Sequence, residues 1–136
     1  MTNQELLLDA LEYYTVDPVG RRCKDEDTCY YSPKSIGKEE TSQGCLIGRL
    51  LSPELAELID TKEKEIDINT LINEGLYTLP DFMNENNKYF LCGCQSLHDI
   101  NRYWTETGLS EVGKTKVLSI INEYNLDREL FSKFLN

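Results

Sequence analysis

Helix-start signals recur along this chain, and they constrain its fold more than any other feature. Thr2 and Glu5 stand three apart as a capping box, in which each side chain meets the other's backbone N–H. Leu7, Leu11 and Tyr14 follow at i, i+4 and i+7, with Glu5, Asp9 and Glu12 on the other side. That spacing predicts a helix over residues 2–15, ending before the turn cluster Asp17-Pro18-Val19-Gly20. Ser52-Pro53-Glu54 supplies an N-cap, a proline at the first helical position and an acid in the first turn. Asp67 to Asn73, closed by Gly75, reads as a short helix. Phe90, Gly93, Leu97, Ile100 and Trp104 form one stripe, predicting a long helix over residues 88–104. Thr107-Gly108-Leu109-Ser110 breaks it. Ser110 then caps a helix with Val117, Ile120, Ile121 and Tyr124 on one face, and Asp127 opens a final turn burying Leu130, Phe131, Phe134 and Leu135.

Residues 21–44 differ. Arg21-Arg22-Cys23-Lys24 is followed by the acidic run Asp25-Glu26-Asp27, then by Thr28-Cys29-Tyr30-Tyr31 and a polar stretch with Pro33, Gly37 and Gly44. Thr, Cys and Tyr suit a short strand, and the stretch behind it suits an irregular hairpin. Cys45 to Leu51 reads as a short, buried turn of helix. The expected fold is therefore mainly α with a small β-hairpin element, an α+β helical cluster. All of 1–136 forms one domain: helix 2–15, an irregular β and loop region over 21–44, and a helical region over 45–136.

Composition narrows the class. Eight Tyr, four Phe and one Trp give a chain of 136 residues enough burial to fold without staples. Five cysteines, an odd number, with no export-type leader at Met1-Thr2-Asn3 point to reduced thiols in a cytoplasm. No apolar run approaches the roughly 20 residues that cross a bilayer, so no membrane partner is expected. The formal charge of −10, from 24 acidic and 14 basic residues, disfavours a duplex nucleic acid partner. Residues 54–74 concentrate seven carboxylates (Glu54, Glu57, Asp60, Glu63, Glu65, Asp67 and Glu74) against Lys62 and Lys64. Such a stretch is ordinarily a solvated face. Its alternative use is docking on a basic partner.

Taken in order, Arg21-Arg22, Cys29-x-Tyr31, Gly44-Cys45-x-Ile47-Gly48-Arg49, Gln95-Ser96-Leu97-His98-Asp99, Tyr103-Trp104 and Gly108-Leu109 resemble a family of small, mostly uncharacterised proteins encoded by phages and prophages. The likeness runs from about residue 12 to 122 on scattered positions. It implies a phage or prophage origin and carries no established activity. Cys94 departs from the aliphatic residue usual before Gln-x-Leu-His-Asp, which weakens any special role for that thiol.

Three kinds of chemistry are written near these motifs. Cys45 at a helix start, where the dipole favours thiolate, with His98 and Asp99 downstream, would make a cysteine-dependent hydrolase. Against it, adjacent helical residues point about 100° apart, so Asp99 is poorly placed to orient His98. The packing reading has Cys45 buried and His98 bonded to the backbone. Zinc would need Cys94 and His98, four apart, joined by Cys29 and Cys45, but no Cys-x-x-Cys pair exists. No metal and no cofactor are expected. For an anionic ligand, Arg21, Arg22, Arg49 and Arg102 are the guanidinium groups, Tyr31 and Trp104 the stacking faces, and His98 a hydrogen-bonding group. The bland counterparts are Trp104 as core, Arg102 paired with Asp99, and Arg21-Arg22 balancing Asp25-Glu26-Asp27.

The functional expectation is a phage-encoded counter-defence binding protein of the host cytoplasm. It would sequester a small immune-signalling nucleotide or block a host defence enzyme, with homo-oligomer assembly left open. The alternatives are the hydrolase centred on Cys45 and His98, and an accessory protein of phage replication or regulation.

Overall fold

Helix α1, Asn3–Tyr14, begins where Thr2 Oγ1 accepts the Glu5 N–H at 3.1 Å. It buries Leu6, Leu7, Ala10, Leu11 and Tyr14 along one face. A computed structural model describes residues 1–25, 28–63 and 65–136 of the chain. Glu26 and Asp27, two members of the acidic triplet set against Arg21-Arg22, lie outside the described residues, as does Lys64.

The other helices start on the same chemistry. Asp17 caps the single turn α2, Pro18–Arg21. Ser52 Oγ accepts the Leu55 N–H and Pro53 takes the first position of α3, Pro53–Lys62. Asp67 caps α4, Ile68–Glu74, and Gly75 ends it with φ 63°, a conformation a glycine adopts without strain. Helix α5, Lys88–Asp99, buries Phe90, Leu91, Cys94, Gln95, Leu97 and His98 and lies between α4 and α6. Ser110 caps α6, Glu111–Glu123, and Asp127 opens the last 3-10 turn, Arg128–Phe131, before α7, Ser132–Leu135. Phe131 is fully buried and locks this end against the core. No helix is long and apolar enough to cross a membrane.

The expected β-hairpin is absent. Among the described residues there is no strand, only the isolated bridges Lys24–Cys29 and Trp104–Leu109. Side chains take the donors a ladder would need. Cys23 N–H goes to His98 Nε2, while Tyr31 and Ser32 N–H go to the two carboxylate oxygens of Asp60 at 2.9 and 2.8 Å. Pro33, with no N–H, then opens a 3-10 turn, Pro33–Ile36. The fold is α-helical.

The long helix predicted to residue 104 stops at Asp99. Its last carbonyls are claimed from outside. Trp104 Nε1 donates to Leu97 O at 2.7 Å, Arg22 Nε to His98 O at 2.6 Å, and Lys24 Nζ and Arg22 Nη2 to Asp99 O. Ile100 leaves the helix with extended backbone, and Asn101–Tyr103 form a separate 3-10 turn. Phe90 and Leu97 remain core, but Ile100 and Trp104 are not on their stripe.

Between Cys45 and Leu51 the helical turn shrinks to a 3-10 turn, Gly48–Leu50. It packs directly on the Tyr31 backbone. A Cβ at Gly48 would collide with the Tyr31 carbonyl oxygen, so only glycine fits there.

Candidate functional site

Of the sequence-predicted residues, Arg22, His98 and Trp104 meet around the end of α5, and they hold the chain together there. Arg22, 7% exposed, is clamped on the His98 and Asp99 carbonyls and on Asn101 Oδ1, with its guanidinium 5.6 Å from the Trp104 ring centre. This pairing spans 76 residues of sequence and secures the chain at Arg22 to the helix. Lys38 adds a second fastening by donating to the carbonyls of Val19, Arg22 and Lys24. Its role was invisible in the polar loop that carries it.

His98 is fully buried, and both of its ring nitrogens are engaged. Cys23 N–H donates to Nε2 at 3.3 Å, so Nε2 carries no hydrogen. The proton of the neutral ring therefore sits on Nδ1, which donates to Asp99 Oδ1 at 2.7 Å. Asp99 does orient the ring, contrary to the angular argument from helix geometry. As the last helical residue it folds its short carboxylate back across its neighbour. Burial holds the His98 pKa below its ordinary value, against the opposing pull of Asp99.

Neither thiol chemistry nor metal binding is favoured by this arrangement. Cys45 is 1% exposed, and burial followed by the Asp99 charge pushes its thiol well above the usual range. A helix-start thiolate at Cys45 is thus replaced by a neutral thiol whose sulfur accepts the Gly48 N–H. Cys29, not Cys45, approaches the His98–Asp99 pair, and burial raises its pKa to about 12. Cys29, His98 and Asp99 place ligand-type atoms within 4.8 Å of one another. Cys94 and Cys45 are not in that cluster. A metal on Nδ1 would need a hydrogen on Nε2, facing the Cys23 N–H donor to donor, with the Lys24 ammonium close by.

The other candidate ligand groups are scattered. Arg49 stacks on Tyr13 at 4.1 Å and pairs with Asp9 at 2.8 Å, while Arg21 lies 4.6 Å from the same ring and bonds Tyr13 O. Arg102 is exposed and lies over Tyr103 instead of pairing with Asp99. Tyr31 OH donates to Ile66 O, and Trp104 is held through its indole N–H. Arg21, Arg22, His98, Arg102 and Trp104 line none of the main concavities, whereas Tyr31 lines two and Arg49 one.

Two acid-lined concavities adjoin each other. A cavity of about 520 Å³ lies between Lys24, residues 29–31, residues 65–69 and α5, with Cys45, Tyr31 and Gln95 among its deepest residues. A groove of about 480 Å³ along the end of α3 and α4 is lined by Glu63, Glu65, Asp67 and Glu74 with Lys62. Glu65, Ile66 and Asp67 belong to both. Of the seven carboxylates in 54–74, Asp60 is structural, because it accepts from Tyr31 N, Ser32 N and Ser35 Oγ. The sequence pattern carries no sign separating it from the solvated acids around it. No known protein family, curated protein or solved structure matches this chain.

Proposed function

We propose that the protein is a non-enzymatic binding protein that docks its acidic face on a basic partner. In the phage setting its motifs resemble, that partner is a host defence enzyme and the place of action the host cytoplasm. The observation that carries this reading is the groove where Glu63, Glu65, Asp67 and Glu74 converge, while Arg21, Arg22 and Arg49 are engaged inside the fold. The charge offered outward is negative, and it steers and orients a basic surface. Leu58, 41% exposed on α3, and Leu76, 65% exposed just beyond α4, are exposed apolar side chains in the same stretch of sequence as these acids. Sequestration of a nucleotide draws less support, since phosphates need free converging guanidinium groups, and Arg21, Arg22 and Arg49 are held on carbonyls, the Asp9 carboxylate and the Tyr13 ring.

The test is phage plating on bacteria whose defence system restricts the phage, with the protein supplied in the host. The wild-type chain restores plaques, and the double reversal Glu63→Lys with Glu74→Lys abolishes that rescue at a temperature where the variant stays folded, Glu63 losing the hydrogen bond that it accepts from the Tyr77 hydroxyl at 3.1 Å. Arg49→Ala keeps it. Rescue that survives the double reversal overturns the docking reading. So does a thermal shift with a cyclic or ADP-ribose-derived nucleotide that Arg49→Ala removes.

A further inference from the structure

His98 joins two segments that are distant in sequence. Its ring is fully buried at the end of α5, and Nε2 accepts the backbone N–H of Cys23 at 3.3 Å. Cys23 stands between Arg22 and Lys24, whose side chains hold the last carbonyls of the helix. The three contacts make a single fastening between residues 22–24 and α5. Behind it lie the thiols of Cys23 and Cys45, 0% and 1% exposed. Cys94, 0% exposed, is buried elsewhere on the same helix.

A second proton on the ring acts on this fastening from one side. Nδ1 donates to Asp99 Oδ1 whether or not the ring is charged. Nε2 accepts only while it is bare. Once protonated it sets N–H against N–H, and the Cys23 amide loses its acceptor. The new charge is also poorly matched. The Arg22 guanidinium and the Lys24 ammonium face the ring from the opposite segment, against the one carboxylate of Asp99. Tyr14 of α1, edge-on at 4.9 Å, and the Cys23 and Cys29 thiols stay neutral, because burial raises the pKa of each. An imidazolium would therefore sit buried among two cations and one anion. We propose that protonation of His98 releases residues 22–24 from the end of α5 while the rest of the fold holds, an acid-operated latch that uncovers Cys23 and Cys45. Glu63 and Glu74 take no part in it, so it stands apart from the docking groove.

Pulsed maleimide labelling of the full chain from about pH 8 to about pH 5, read cysteine by cysteine in a mass spectrometer, tests the latch. Dividing each rate by that of the urea-unfolded chain at the same pH cancels the ionisation of the thiol. Burial holds the closed-state His98 pKa below its ordinary value, so opening takes up a proton below about pH 6.5. Protection of Cys23 and Cys45 should fall there with a slope approaching about tenfold per pH unit, the limit for one proton. Cys94 should keep its protection throughout. His98→Gln still offers an oxygen to the Cys23 N–H but binds no proton, so its protection should stay flat. Asp99→Asn removes the one charge that favours the imidazolium and should move the fall to lower pH, which decides the matter should the glutamine variant not fold. The proposal is overturned if Cys23 and Cys45 stay protected at the acid end, if Cys94 loses protection in step with them, or if either folded variant follows the wild-type curve.

Discussion

Arg22 Nε donates to the carbonyl oxygen of His98 at 2.6 Å, and the same guanidinium reaches Asp99 O and Asn101 Oδ1. One side chain thus closes the end of α5 and fixes the loop that walls the adjoining cavity. Replacing it by lysine keeps the charge but loses the fork. Arg22→Lys should therefore cost on the order of 2–3 kcal/mol, because buried carbonyls lose their donors. Urea unfolding measures this, and a cost within the noise of a surface substitution would show the clamp to be dispensable.

The chain has one histidine, which makes its proton linkage readable. Burial lowers the His98 pKa below the unfolded value of 6.5. Between the two values the unfolded chain binds more protons than the folded one. His98 therefore contributes its full stability above about pH 6.5 and loses it as pH falls through the window below. Denaturant midpoints taken from pH 8 to 5.5 should decline for the wild type. His98→Gln should flatten that decline, and an unchanged slope would mean His98 does not carry it.

The acidic stretch should divide sharply under alanine substitution. Asp60 receives two backbone N–H groups and the Ser35 hydroxyl, so Asp60→Ala should cost roughly 2–4 kcal/mol by stranding those donors. Glu54, exposed in the first turn of α3, should change stability by no more than about 0.5 kcal/mol. Equal effects from chemical denaturation would contradict the assignment of Asp60 as internal.

Cys45→Ser places a hydroxyl where a fully buried thiol now packs. An expected loss of about 1–3 kcal/mol follows from an imperfectly paired buried polar group. Plaque rescue should persist at temperatures where this variant stays folded. Loss of rescue with stability unchanged would return Cys45 to a chemical role.

What could be read in the sequence was local. Thr2, Ser52 and Ser110 cap helices because an N-cap needs only its own next three residues, and α1, α3 and α6 begin where they were read. Gly75 ends α4 for the same reason. What could not be read was set across the chain. Ile100 continues the apolar stripe of α5, yet the helix ends before it because Arg22, Lys24 and Trp104 take the preceding carbonyls. Thr28 to Tyr31 have strand-like side chains, but Asp60 and His98 occupy their neighbourhood's backbone donors. The candidate residues Arg22, His98 and Trp104 do gather at one place, as side chains bracing the end of a helix. The cavity acids Glu65 and Asp67 were counted only as members of a charged run.

Because residues near position 22 terminate α5, its length is a property of the assembled chain and not of its own segment. A peptide of residues 86–104 has no such brake and would carry its helical register beyond Asp99. During synthesis the loop around Arg22 leaves the ribosome long before the carbonyls it binds exist. It must wait unanchored until more than seventy further residues emerge. Until then the wall of the cavity has nothing to stand against, and its closure belongs among the last events of folding.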